Sequence, residues 1–193
     1  MRLRRALPDW ALPVGLACLV LAFTAGSSPI KAIHHPFLHI RWWVLVAVSA
    51  LAVYAAVQRV QTEGLPRSRG LLRFGVLVGA FLALTVLSTA WSVTPRSTFE
   101  HAVSLGILFV LAGAVALATF GDVVARLRLF QGIGAGAIIV GVLGVLLLIV
   151  DYDKAKGADL NTWRYEGFTE NPNTISILAG ATLPILVGLA LAS

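Results

Sequence analysis

The stretch "RYEGFTENPNTIS", which begins at Arg164, concentrates side chains that could bind an anion. Asn171 can cap a helix through its side-chain oxygen, and Pro172 suits the first helical position, where its missing N–H costs nothing. A helix that starts there presents free N–H groups and the positive end of its dipole, which favour a phosphate or a carboxylate. Arg164 lies seven residues before Asn171 and could add a bidentate cationic contact. The pattern is typical of an anion site.

Two neighbouring acids extend this chemistry, because Glu166 or Glu170 could accept a proton from an attacking hydroxyl group. The substrate-binding residues that this interpretation predicts are Arg164, Glu166, Gly167, Asn171, Pro172 and Asn173. The alternative is that Asn-Pro-Asn only starts a helix, while Trp163 and Tyr165 anchor the chain at a membrane surface. Residue types alone leave both interpretations open, and no catalytic residue is assigned.

The chain also contains a pair of aspartates with a familiar spacing. Asp151 and Asp153 match the D-x-D that holds a metal–nucleotide complex in many glycosyltransferases. We favour the interpretation that Asp151 and Asp153 are solvated residues at the end of a membrane span. In the orientation predicted below they lie at the outer face of the membrane, away from the cytoplasm, where nucleotide sugars occur. Glu100 and His101 could join a polar pocket at the start of another span, although a glutamate near a helix start is favourable for dipole reasons alone.

Three histidines, His34, His35 and His39, are of a type that binds metals. We expect Pro36 to interrupt the helix that would bring His35 and His39 onto one face. The sequence therefore predicts no metal site, and we expect no other cofactor.

The composition indicates the surroundings in which these residues act. Hydrophobic residues make up 58% of the 193, charged residues only 12%, and the mean hydropathy is +0.87. Soluble domains are about half apolar and about one quarter charged. The charges are clustered between apolar windows about as long as a bilayer requires, roughly 17–25 residues. The protein is expected to be an integral membrane protein.

Each window must be a helix, because an open strand in lipid would leave its backbone groups unpaired. We predict an all-α, polytopic helical bundle, a single transmembrane domain with about six spans, at about 11–27, 40–58, 73–91, 101–120, 130–150 and 174–192. The first window is also compatible with a cleaved signal peptide. A single cysteine, Cys18, excludes an intrachain disulfide framework.

Basic residues favour the cytoplasmic side of a membrane. With a cytoplasmic N-terminus, the inner segments hold nine Lys and Arg residues and the outer segments hold six. We therefore predict that the N-terminus is inside and that "RYEGFTENPNTIS" lies at the outer face. The net charge of +6 needs no partner beyond anionic membrane lipids, and scattered basic residues without aromatic platforms do not indicate nucleic acid.

Two pairs of glycines are spaced for close helix packing. Gly132 and Gly136 are four residues apart, as are Gly75 and Gly79. Both pairs lie in apolar windows, where small residues let helix backbones approach each other. A phosphate-binding loop is disfavoured, because it needs a polar turn that leads into a helix.

Two segments resemble the superfamily of O-antigen ligases and O-antigen polymerases. "LSTAWSVTPRSTFEHAVSLGILFVLAGAVAL" is similar in its Trp-Ser step and proline turn, which lead into a span with small residues. "RYEGFTENPNTISILAGATLPILVGLAL" is similar in its Arg, Gly-Phe and Asn-Pro-Asn order before a helix. The likeness covers about residues 70–193, and the first two spans agree only in hydropathy.

The resemblance implies a multi-pass enzyme of the bacterial inner membrane that works at its outer face. Such proteins transfer or polymerise a glycan from a polyprenyl-diphosphate carrier onto an acceptor glycolipid or glycan, without a nucleotide or a metal. In that role Arg164 would contact the diphosphate, with support from the helix start at Asn171–Asn173.

Known members of that superfamily have more spans, with a large outer loop that carries further arginines and an essential histidine. No histidine of this chain occupies that place, so we expect it to correspond to the amino-terminal half of such an enzyme and to be inactive alone. The alternative is a membrane scaffold or a transporter component. The near absence of ionisable residues in the middle of the predicted spans argues against transport.

Overall fold

The computed structural model of the protein describes residues 8–65, 69–156, 167–168 and 172–192. Within these ranges the regular structure is entirely helical. The α-helices are α1 (Ala11–Ala25), α2 (Lys31–Glu63), α3 (Arg69–Leu87), α4 (Pro95–Ala118), α5 (Val123–Val150), α6 (Tyr152–Lys156) and α7 (Pro172–Ala192), and a 3₁₀ helix (Ser88–Trp91) follows α3. The predicted all-α fold class is confirmed.

In the part of the chain that the structure describes, three helices, α2, α4 and α5, are long and apolar enough to cross a membrane. Shorter apolar helical stretches are Ala11–Ala25, Gly75–Trp91 and Leu178–Gly188, so every predicted span coincides with a helix. These helices leave many large apolar side chains exposed, such as Leu77 and Ile149, which suits a lipid environment. The chain is a membrane protein, while the count of six crossings and the inward N-terminus stay predictions.

The second helix begins earlier than the apolar window does. It runs without a break from Lys31 and contains Pro36, so the prediction that Pro36 interrupts the helix is wrong. Proline removes one backbone hydrogen bond. The physical reason for continuity is that Ile33 and Phe37, one helical turn apart, both pack against a buried apolar cluster. That packing offsets the missing bond.

Two other helices begin with clear local signals. Pro95 occupies the first turn of α4, so it starts that helix after a short turn rather than only breaking the previous one. Asp122 caps α5, and its carboxylate accepts a hydrogen bond from the backbone N–H of Ala125 at 2.9 Å. Both helices extend beyond the apolar windows because polar residues at their ends are compatible with a helical backbone.

The chain divides into two compact units, residues 1–48 with 122–193, and residues 49–121. In the first unit α1 packs closely against α5. A Cβ atom built on Gly132 would lie 2.7 Å from the backbone carbonyl carbon of Pro13, and one on Gly136 would lie 3.1 Å from the carbonyl oxygen of Ala17. The predicted packing face at Gly132 and Gly136 is confirmed, since only glycine allows this approach.

The second unit contains α3, α4 and the end of α2. Phe81 and Phe109 meet edge to face with ring centroids 6.2 Å apart. A Cβ atom on Gly75 or Gly79 would meet no atom within 4 Å, so the predicted packing face there is not formed among the described residues. Spacing identifies a face that allows close approach, but the neighbouring helix must also be present.

Candidate functional site

Between α6 and α7 the structure describes Gly167 and Phe168, the centre of the predicted anion site. Gly167 has a φ of 61°, in the left-handed region that glycine adopts without steric cost. Its N–H donates a hydrogen bond to the carbonyl oxygen of Ala155 at 3.2 Å. The chain therefore turns back onto α6 at this point.

The next residue, Phe168, secures the turn by burying its ring. Phe168 is 8% exposed and shares a cluster with Ala25, Leu147 and Ala155. Partly buried side chains that pack against this cluster are Ile30, Ile33, Phe37, Leu143 and Leu148. The end of α1, the start of α2, the end of α5 and α6 thus all contribute. We call this set the Phe168 cluster, and it ties the polar segment to four helices.

Helix α7 begins at Pro172, which agrees with the predicted helix start. Four residues of chain span at most about 14 Å, so this start lies within that distance of Phe168. Arg164, Glu166 and Asn171 lie outside the described residues, and only the backbone of Pro172 and Asn173 is described. Their assignment to a substrate stays a prediction.

The aspartate at the end of α5 has a structural partner. Nζ of Lys154 lies 2.5 Å from Oδ2 of Asp151, and the backbone N–H of Lys154 donates to Oδ1 at 3.3 Å. These hydrogen bonds lower the pKa of the Asp151 carboxyl. Asp151 follows the last residue of α5 and precedes Tyr152, the first of α6. This arrangement suits residues that close a span better than a metal–nucleotide site.

The histidines lie along the first turns of α2. Because the helix is continuous, His35 and His39 are one turn apart, and the rings of His34 and His35 meet edge to face at 5.9 Å. Nδ1 of His34 is buried and has no hydrogen-bond partner. Among the described residues, no three His, Cys, Asp or Glu side chains are grouped so that they could hold a metal ion.

A surface cavity of about 410 Å³ lies at the start of α4. Its lining residues are Thr94, Pro95, Arg96, Ser97 and Glu100. Nε of Arg96 donates to Oε1 of Glu100 at 3.1 Å, and both side chains are exposed. Glu100 lines this surface cavity, whereas His101 does not belong to its lining. An exposed pair of this kind contributes little to stability.

Sequence reasoning missed Arg41, which has an unusual environment in the structure. Its guanidinium carbon lies 5.2 Å from the ring centroid of Trp42 and 5.9 Å from that of Phe23. Its Nε is buried without a hydrogen-bond partner. The signal in the sequence is a lone Arg directly before two tryptophans, Trp42 and Trp43.

No protein-family model matches this chain, and neither a curated protein nor a solved structure matches it.

Proposed function

We propose that this chain takes part in the assembly of a bacterial surface polysaccharide. In this proposal it crosses the inner membrane about six times, with its N-terminus in the cytoplasm. It acts at the outer face on a glycan linked to a polyprenyl diphosphate, as an O-antigen ligase or polymerase would. Support comes from the two segments that resemble that superfamily.

The observation that carries the proposal is the anchored turn at Gly167 and Phe168, followed by the start of α7. The first N–H groups of a helix that begins at Pro172 have no partner within the helix itself. The burial of Phe168 in its cluster fixes the position of a residue four places before that helix start. A negatively charged diphosphate on a membrane lipid suits such a position, because the helix dipole and the N–H groups both attract anions.

The reaction needs no redox step. A hydroxyl oxygen of the acceptor attacks the anomeric carbon of the lipid-linked glycan, and the bond between that carbon and the diphosphate oxygen breaks. Polyprenyl diphosphate leaves with the bonding electron pair, and the hydroxyl proton passes to a carboxylate, for which both Glu166 and Glu170 are candidates. Arg164 and the N–H groups near Asn171 would stabilise the departing diphosphate. Ligase and polymerase differ only in the acceptor.

The direct test replaces Arg164 in cells whose surface glycan depends on this protein. We expect Arg164→Ala to lower surface glycan at least about tenfold at unchanged protein level, because a charge-assisted contact to the diphosphate is lost. Arg164→Lys should give an amount of surface glycan between those of Arg164→Ala and the unmodified protein, since lysine keeps the charge and loses the bidentate geometry. Lys156→Ala is the matched control, because it removes a basic residue from the neighbouring polar region. Surface glycan and lipid-linked glycan are both measured on gels.

Accumulation of the lipid-linked glycan in Arg164→Ala cells would place the block at the transfer step. Normal surface glycan at normal protein level would refute the proposal. That result would favour the alternative, a membrane scaffold or transporter component, in which Arg164 takes no part in substrate binding or catalysis.

A further inference from the structure

Arg41 lies where the polar beginning of α2 gives way to its apolar run, "VLVAVSALAV", which starts at Val44. Its guanidinium lies within about 6 Å of the rings of Phe23 and Trp42, the range of a cation–π contact. The two rings meet edge to face, with centroids 5.6 Å apart. The aromatic side chains therefore hold the cation at the edge of the apolar run.

No described residue gives this cation an oxygen ligand. Its Nε is buried and unpartnered, and the residues that the structure describes form neither a hydrogen bond nor an ion pair with Arg41. Arg59, in the last turns of the same helix, differs. Its Nε contacts Oε2 of Glu63 at 2.6 Å, and its Nη2 donates to the carbonyl oxygen of Phe120 at 3.1 Å. Oxygen atoms of the protein therefore bind the guanidinium of Arg59, whereas no described residue does so for Arg41.

Arg41 is only partly buried, but its Nε is enclosed, and aromatic rings do not replace the hydrogen bond that this N–H group lacks. The planar guanidinium is also the group that best matches two oxygens of a phosphate. Exposed tryptophans mark the level of the lipid headgroups, and Trp43 is exposed next to this site. At that level the phosphates of phospholipids are the abundant anions.

We propose that Arg41, Phe23 and Trp42 form a binding site for the phosphate of a phospholipid headgroup. Gly26 makes room for the arginine, since a Cβ atom there would lie 2.9 Å from Cδ of Arg41. The acyl chains of the lipid would lie along the exposed apolar side chains of α2, such as Val46. This inference does not rest on the proposed glycan chemistry.

The test measures lipid binding to the purified full chain in mild detergent by native mass spectrometry. Phosphatidylglycerol is compared with diacylglycerol of the same acyl chains, which lacks the phosphate. We expect Arg41→Gln to weaken phosphatidylglycerol binding about tenfold and to leave diacylglycerol binding unchanged. Arg96→Gln is the matched control, because Arg96 is exposed and already paired with Glu100, and it should bind as the unmodified protein does.

A second variant keeps the test decisive if Arg41→Gln does not fold, as judged by circular dichroism. Trp42→Leu removes one ring and leaves the charge, and we expect about threefold weaker phosphatidylglycerol binding. The proposal is overturned if the folded variants bind phosphatidylglycerol as tightly as the unmodified protein, or if diacylglycerol binds equally well.

Two further binding measurements distinguish a headgroup phosphate from a free phosphate ion and from a lipid-linked diphosphate. Displacement of phosphatidylglycerol by an equal concentration of inorganic phosphate would assign the site to a free ion and overturn the headgroup proposal. Binding of farnesyl diphosphate at least about tenfold tighter than phosphatidylglycerol, with the same dependence on Arg41, would assign the site to a lipid-linked diphosphate and also overturn it. We expect neither result.

Discussion

The contact between α1 and α5 at Gly132 allows a quantitative prediction for Gly132→Ala. The new Cβ atom would lie 2.7 Å from the carbonyl carbon and 2.8 Å from Cα of Pro13, and closer still to its carbonyl oxygen. Ordinary van der Waals contact begins at 3.4 Å, so α1 must move away by at least about 0.7 Å. Because the opposing atoms are backbone atoms, no side-chain rotation can relieve the overlap.

Overpacking of this kind costs about 1–3 kcal/mol, while alanine is favoured over glycine within a helix by up to about 1 kcal/mol. We expect Gly132→Ala to lower the free energy of unfolding by about 1–2 kcal/mol. Gly141→Ala is the matched control on the same helix, since its Cβ atom would meet no atom within 4 Å. We expect that control to be neutral or stabilising by up to about 1 kcal/mol.

The assay is unfolding of the purified chain in mixed micelles by sodium dodecyl sulfate, followed by far-ultraviolet circular dichroism. The midpoint and slope of each transition give the difference in free energy between the variants. The reasoning about α1 and α5 is refuted if Gly132→Ala is as stable as the unmodified protein. It is equally refuted if Gly141→Ala loses as much stability, because the loss would then reflect glycine content rather than this contact.

Two further predictions concern the polar region before α7. Phe168→Ala should destabilise the Phe168 cluster by about 3 kcal/mol or more, measured as faster hydrogen exchange at the Gly167 amide, and unchanged exchange would contradict the anchoring role. The Asp151 carboxyl should titrate below the ordinary aspartate pKa of about 3.9 by nuclear magnetic resonance, because Lys154 lowers its pKa. The carboxylate therefore stabilises the fold fully above that unfolded pKa, and progressively less as pH falls through the lower folded value. A midpoint at or above the ordinary value, or one that Lys154→Met leaves unchanged, would count against this explanation.

The helices illustrate which predictions local chemistry supports. Apolar windows predicted where each long helix lies, because hydropathy is a property of consecutive residues. The helix start at Pro172 was predicted from proline at the first helical position, whereas the start of α4 at Pro95, before the apolar window, was not. The continuity of α2 through Pro36 could not be predicted, because it depends on the packing of Ile33 and Phe37.

The candidate site divides in the same way. The order of Arg164, Gly167, Asn171 and Pro172 is visible in the sequence and is sufficient to predict an anion site, which stays a prediction. The burial of Phe168 was not predicted, because its partners include the end of α1 and the start of α2, which are distant along the chain.

By itself, the sequence determined that this is a helical membrane protein and where its polar segments interrupt the apolar ones. Both follow from local composition, since a bilayer selects helices from each apolar window separately. Only the tertiary structure decided that Gly132 packs against another helix while Gly75 does not, and that Arg41 lacks an oxygen ligand among the described residues. These outcomes depend on which distant residues become neighbours, and the spacing of residues along one helix does not contain that information.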